Sequence, residues 1–312
     1  MIIDDHVHMG LEVGGPKMQR KMWVNRAPDE HRFGCTAMRD YYVEKGRWDK
    51  KYLDPATIPP YTIEDLIYHM DDAGVDMCVL MGRDYQGMQP PYARVVTTAD
   101  YVSSIVDKYP DRFVGLAPMN PWEANVHTRI KYYVEDLNML GVAELYMPTG
   151  IDPADRKLMY PIYETCVEYD ITCFVDCKTG AVSFGGRVIK AGNWPYANPR
   201  RLVEVGLDFP DLKLVQHLYG MCDGPIGPMV KRFPNFRTHA IYSSHHYRDE
   251  AAAKEWIIWF QENIPDQVFV GSDHLWGFPV KGIVDWVKSV PGLTDEFKTK
   301  ALGENARKFY KI

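Results

Sequence analysis

Met1–Gly10 reads MIIDDHVHMG, and the organisation of the chain follows from this stretch. Ile2 and Ile3 begin a short apolar run that reads as a strand, and His6 and His8 follow two residues apart. In an extended strand, residues i and i+2 point to the same face. The two imidazoles then stand side by side, a spacing that can grip one divalent ion. Neutral imidazole is the commonest metal ligand among side chains, and zinc accepts it readily. A purification tag is disfavoured, because Val7 interrupts the pair and strand-like residues precede it. By itself the pair could also be two neighbouring histidines with no shared task. The rest of the chain decides between these readings.

Strand-like and helix-like segments alternate from Thr62 onward. Thr62-Ile63-Glu64-Asp65 has the form of a capping box with Asp in place of Glu. Ile63, Leu66, Ile67 and Met70 then have helical spacing, and Gly74 ends the helix. Counting from Ile2, strands are expected to begin at Ile2, Val75, Phe113, Gly141, Ile171, Leu212, Phe236 and Val268. Helices are expected between them at Thr97–Tyr109, from Pro121 onward, and at Leu158–Tyr169, Asn198–Phe209, Pro228–Phe233 and Ala251–Asn263. Val280–Val290 and Thr294–Tyr310 close the chain as helices. Strands that are nearly continuous apolar runs, separated by helices, imply a parallel sheet covered by helices. Eight such units close into a (β/α)8 TIM barrel, an α/β fold. An open doubly wound sheet lacks support, because no glycine-rich dinucleotide turn follows the first strand.

Residues 11–60 do not fit this alternation. Gly14-Gly15-Pro16, Ala27-Pro28-Asp29, Asp54-Pro55 and Pro59-Pro60 punctuate them. They are expected to be a long insertion after strand 1, serving as a functional loop or lid or else making subunit contacts. Residues 1–312 then form one barrel domain carrying this insertion.

Composition narrows the function. The 312 residues carry a formal net charge of -6, which gives no basic field for nucleic acid. No run of about 18 apolar residues is present to span a membrane, and Met1 is not followed by a basic and then an apolar segment. A cytoplasmic location is the expectation. The six cysteines have no paired-motif spacing and read as reduced thiols. Eight Trp and twenty Tyr suit an aromatic-lined pocket, a large core or a subunit interface equally.

Barrel active sites lie at the C-terminal ends of the strands, so the residues there matter most. Strand 1 ends in His6 and His8, strand 5 in Asp176-Cys177-Lys178, strand 6 in His217, and strand 8 in Asp273-His274. Strand 7 leads through His239 to His245-His246. Each residue alone has an ordinary reading: His239 as a satisfied core histidine, His217 as a packing residue, His245-His246 as a solvated turn. A coincidence of all of them, each just past an apolar strand, is a much weaker explanation than a shared site.

At this level of detail the chain resembles the amidohydrolase-related superfamily, specifically its branch of aminocarboxymuconate-semialdehyde decarboxylase and the aromatic-acid decarboxylases. The resemblance rests on Asp4–His8 (DDHVH), Phe209–Gly220 (FPDLKLVQHLYG), Val268–Gly277 (VFVGSDHLWG) and Gly303–Tyr310 (GENARKFY). It implies that His6, His8 and Asp273 bind one divalent metal ion per chain, zinc or manganese. It further implies that Asp273 acts as acid or base and that His217 lies beside the substrate. The family's metal-binding histidine at the end of strand 5 is missing, because ITCFVDCKTG (Ile171–Gly180) occupies that place. Strand counting puts Asp176 at the histidine position, and counting back from Thr179-Gly180 puts Lys178 there. Asp176 is the preferred ligand, since a carboxylate serves zinc and suits manganese better than imidazole does. Cys177 would favour zinc.

The resemblance favours a nonoxidative decarboxylase for a small planar, aromatic or unsaturated carboxylic acid. A metal-dependent hydrolase of a lactone, amide or other C–O or C–N bond is the alternative, and a non-catalytic ligand-binding barrel is the third reading. Arg83 and Lys178 are the candidate cations for an acidic substrate. Trp276 is a candidate pocket wall, and Trp23, Arg26 and Arg32 of the insertion could close over it. The expected partner is a small carboxylate, with a homo-oligomer plausible and neither nucleic acid nor membrane involved.

Overall fold

The structure is a computed structural model and describes residues 1–9, 62–84, 96–146, 151–176, 182–184, 187–189, 199–217, 230–241, 250–274 and 280–312. The expected insertion at 11–60 lies outside the described residues, as do Cys177, Lys178, His245, His246 and Trp276.

Eight strands form one sheet: β1 (Ile3–Val7), β2 (Met77–Met81), β3 (Phe113–Pro118), β4 (Gly141–Tyr146), β5 (Thr172–Asp176), β6 (Lys213–His217), β7 (Phe236–Ile241) and β8 (Val268–Gly271). Their hydrogen-bonded order is their chain order, and every pairing between them is parallel. β1 meets the end of β8 through a parallel bridge between Val7 and His274. The sheet therefore nearly closes on itself with alternating helices outside, which is the expected TIM barrel.

The helices follow from local chemistry. In α1 (Ile63–Ala73), the Thr62 hydroxyl accepts from Asp65 N at 3.2 Å while the Asp65 carboxylate accepts from Thr62 N at 3.0 Å. Gly74 ends the helix in the left-handed conformation, at φ 68°. α2 (Ala99–Lys108) starts two residues later than expected, because Thr98 caps it by accepting from Tyr101 N. Thr97 instead belongs to a short strand, Val96–Thr97, antiparallel to Arg83–Asp84. α3 (Val126–Glu135) starts well after Pro121. Asn120 holds that stretch in a turn by accepting from Trp122 N, and Asn125 is left-handed at φ 65°. α4 (Tyr160–Glu168), α5 (Leu202–Asp208), α6 (Glu250–Asn263) and α7 (Val280–Ser289) fill the expected places. The last expected helix is three pieces: α8 (Asp295–Thr299), a π-helical turn (Lys300–Glu304) and α9 (Asn305–Tyr310). A second antiparallel pair, Val182–Phe184 with Arg187–Ile189, was not anticipated.

Two apolar layers hold the barrel. The outer one joins strands to helices, and includes Val7, Leu66, Met70, Phe113, Leu145, Val175, Leu214 and Ile283. The inner one fills the barrel with Ile3, Val79, Met81, Leu116, Phe174, Val215 and Phe269, plugged by Phe309 and Tyr310 of α9. Burying each such side chain contributes about 1.5–3 kcal/mol.

Ile3 and Val7 lie in different layers, although strict alternation would put both on one face. The reason is an irregularity in β1. Asp4 pairs with Cys78 but Val7 pairs with Leu80, so β1 carries one extra residue. Such bulges re-aim side chains beside active sites.

Candidate metal centre and active site

The bulge brings Asp5, His6 and His8 into contact with groups inside the barrel. The Asp4 carboxylate anchors it by accepting from His6 N at 3.2 Å and from Ser272 N at 2.9 Å. The first strand and the residues after the last are thus tied at one point. Burial pushes the Asp4 pKa up to about 7, with the Ser272 hydrogen bonds opposing the shift.

Three donor atoms converge above this tie. His6 Nε2 is 2.7 Å from His8 Nε2, and Asp273 Oδ1 is 3.5 Å from the first and 3.1 Å from the second. All three side chains are buried. Two donors held at about 2.1 Å from a tetrahedral ion lie about 3.4 Å apart. The Asp273 separations match that spacing and the imidazole pair is tighter, so the residues fit one divalent ion with two nitrogens and one oxygen. Asp273 has a left-handed backbone, at φ 52°, a conformation Asp tolerates better than most residues at a cost of about 1–3 kcal/mol.

Arg83, two residues past β2, brings a buried positive charge to the same donors, its Nη2 lying 2.5 Å from His8 Nε2. The cation expected to meet an acidic substrate therefore stands beside the expected metal ligands. His217 ends β6, and its ring centroid is 4.3 Å from that of His6. Asp176 ends β5, is buried, and pairs in register with His217. Its carboxylate is not one of the three clustered donors. Phe174 forms an apolar floor, with its ring 5.1 Å from both His6 and His239.

Sequence reasoning gave Asp5 no role and left His239 as one candidate among several. The Asp5 carboxylate pairs with His239 Nε2, and both residues are fully buried. His239 Nδ1 is 3.5 Å from His217 Nδ1. Asp5 also faces the Tyr310 phenol, whose pKa is raised well above its ordinary value, chiefly by burial. The signal in the sequence was a histidine inside an expected strand, but its partner lies 234 positions away.

A family model described as amidohydrolase matches residues 83–312. The chain belongs to the amidohydrolase family. It is accordingly an enzyme of the metal-dependent lyase or hydrolase type. No curated protein matches this amidohydrolase in sequence. Several solved structures share its fold. An uncharacterised TIM-barrel protein from Bordetella bronchiseptica is 20% identical with a TM-score of 0.65, the match covering 99% of this chain and 98% of that one. The 5-carboxyvanillate decarboxylase of Novosphingobium aromaticivorans, complexed with manganese and 4-hydroxy-3-methoxy-5-nitrobenzoic acid, is 15% identical with a TM-score of 0.65, over 100% of this chain and 96% of that one. The 4-oxalomesaconate hydratase of Rhodopseudomonas palustris is 19% identical with a TM-score of 0.59, over 100% and 96%. At these identities the likeness is one of fold. Among the described residues, no helix is long and apolar enough to cross a membrane.

Proposed function

We propose that this amidohydrolase is a nonoxidative decarboxylase of a small planar carboxylic acid, aromatic or unsaturated. The observation that carries the reading is the convergence of His6, His8 and Asp273 with the buried Arg83 at the C-terminal end of the barrel. Fold neighbours that act on aromatic acids support it. His6, His8 and Asp273 would hold one divalent ion, and Asp176 is proposed as a further ligand on the strength of its burial and its place beside His217. The donor set suits zinc or manganese, and a manganese-bound neighbour favours manganese. When bound, the ion supplies positive charge that stabilises negative charge developing on the substrate.

Arg83, whose Nη2 faces His8 Nε2, would turn its planar fork toward the substrate carboxylate once His8 holds the ion. Lys178 and Trp276 are proposed to line the substrate, from their positions two residues past Asp176 and three past Asp273 in sequence. In the reaction the bond to the carboxylate breaks and CO2 leaves. The electron pair stays on the ring or alkene carbon, and a proton from Asp273 or His217 takes it up.

The test joins metal content to turnover. Protein purified without chelator should carry about one manganese or zinc per chain by elemental mass spectrometry, and should release CO2 from a panel of hydroxylated aromatic acids. His6→Ala with His8→Ala should lose both properties and stay folded, and Asp176→Ala should weaken metal binding. Lactone hydrolysis without CO2 release would assign the hydrolase chemistry instead. Full activity in the double variant would overturn the metal site.

A further inference from the structure

We propose that the foot of the barrel, the end opposite the metal donors, carries a second binding site, which takes a small monocarboxylate with an apolar body.

The site is a cavity of about 370 Å3, where the starts of β5 and β6 meet the C-terminal segment. That volume suits a small organic ligand. Met139, Leu140, Ile171 and Phe309 give it apolar walls. Asn138, Asp170 and Lys311 also line it, and all three have left-handed backbones, at φ 53°, 51° and 60°, so the chain turns sharply around the opening.

The charge is a cluster of two ammonium groups and one carboxylate. Lys213 Nζ donates to the Asp170 carbonyl at 3.0 Å and pairs with Asp170 Oδ1 at 2.5 Å, while Lys311 Nζ pairs with Oδ2 at 2.5 Å. Lys213, and then Lys311, holds the Asp170 carboxyl below its ordinary pKa. All three groups are charged at neutral pH, which leaves a surplus of one positive charge. Each ammonium has three hydrogens to donate. Among the described residues Lys213 uses two and Lys311 one. Glu135 reaches the cavity only through the Tyr169 hydroxyl, and it is itself paired with Lys131.

Thr172 is the second, independent sign. Alternation along β5 turns it to the same inner face as Phe174. It is 2% exposed and lines the cavity, yet among the described residues its hydroxyl makes no hydrogen bond. A buried hydroxyl left without a partner is costly. Thr172 pairs in register with Lys213 on the neighbouring strand. A hydroxyl and an ammonium one strand apart suit a carboxylate, one oxygen accepting from each. The single surplus charge and the apolar walls select a monoanion with an apolar body over phosphate. If the lysines only fastened the chain end to Asp170, the cavity and its unpartnered hydroxyl would have no task.

The foot site is separate from the metal centre. Asp176 lies four residues beyond Thr172 on β5, about 13 Å along the strand. Binding at the foot therefore needs neither the ion nor turnover, and does not depend on the decarboxylase reading.

The probe is 4-fluorobenzoate, titrated by 19F NMR. The His6→Ala, His8→Ala double variant, which lacks the metal site, should still bind it. In that background Thr172→Val should weaken binding about 2–10-fold and Lys213→Met about tenfold or more. Lys311→Met, at an exposed side chain, removes the surplus charge with little risk to folding and should also weaken binding. No binding by the folded double variant would overturn the proposal, as would unchanged affinity in the folded Thr172→Val and Lys311→Met variants. Equal displacement by inorganic phosphate would overturn the carboxylate class. Hydrogen exchange on the unmutated protein gives a readout that needs no variant to fold. The probe should protect peptides covering residues 138–141, 170–172 and 309–312. Protection confined to residues 1–9 and 268–274 would place the probe at the metal centre alone and overturn the foot site. Since no readout uses catalysis, failure of every acid to react would sink the decarboxylase reading and leave this proposal standing.

Discussion

Gly271 shows how closely the backbone is drawn around the donors. A Cβ added there would meet His6 Cβ at 2.6 Å and His6 N at 3.1 Å. Both neighbours belong to β1 itself, so no flexible side chain can move aside. Gly271→Ala should therefore push His6 away from His8 and Asp273. Displacements of this size at a metal centre cost tenfold or more in affinity, and overpacking destabilises by about 1–3 kcal/mol. Metal titration of the variant should show weakened binding with the barrel's circular dichroism retained. Unchanged affinity would mean that β1 and β8 can slide apart at no cost to the site. His6 and His8 were candidates in the sequence from their i, i+2 spacing, and Asp273 from its place just past an apolar strand together with the family resemblance. The pairing of Asp5 with His239 was not legible. Its meaning lies in a contact between distant strands and in one extra residue in β1, neither of which alters local composition.

The C-terminal segment is where one expected element became three. Thr294–Tyr310 has a helical pattern throughout, yet the π-helical turn at Lys300–Glu304 interrupts it. That turn sets Gly303 against the start of the chain, where a Cβ would meet the Met1 carbonyl at 2.3 Å. Asn305 follows and donates from Nδ2 to the carbonyls of Pro265 at 2.8 Å and Val268 at 2.9 Å. The Gly303–Tyr310 motif, which enters the family resemblance, thus works here as a fastener for the entry to β8. Periodicity identifies the helix but carries no information about such a widened turn, since its cause is packing against another part of the chain. Asn305→Ala removes both hydrogen bonds and leaves a buried carbonyl without its donor. The expected loss is about 1–3 kcal/mol, read as a lowered urea midpoint with an unchanged slope. A midpoint within error of the parent would show that other donors satisfy these carbonyls.

Across the whole molecule, the candidate metal centre sits on the seam where the barrel closes. β5 and β6 are paired along Thr172–Asp176 and Lys213–His217. β1 and the end of β8, in contrast, share a single bridge among the described residues, supplemented by the tie between Asp4 and Ser272. The three clustered donors come from the two sides of that seam, His6 and His8 on one and Asp273 on the other. An ion held by them cross-links the first strand to the segment after the last, and so should stabilise closure as well as supply chemistry. At a free metal concentration 100-fold above Kd, linkage gives about 2.7 kcal/mol, enough to raise Tm by several degrees. The rise should reverse with chelator and be absent in the His6→Ala, His8→Ala double variant. Its location is the sharper test. Hydrogen exchange followed by mass spectrometry should show metal-dependent protection concentrated in peptides covering residues 1–9 and 268–274, with a smaller gain at the end of β5, where Asp176 is the proposed further ligand, and little change in β6. Protection spread evenly around the barrel would mean that the ion stabilises the fold as a whole, and that the seam is no weaker than any other pair of strands.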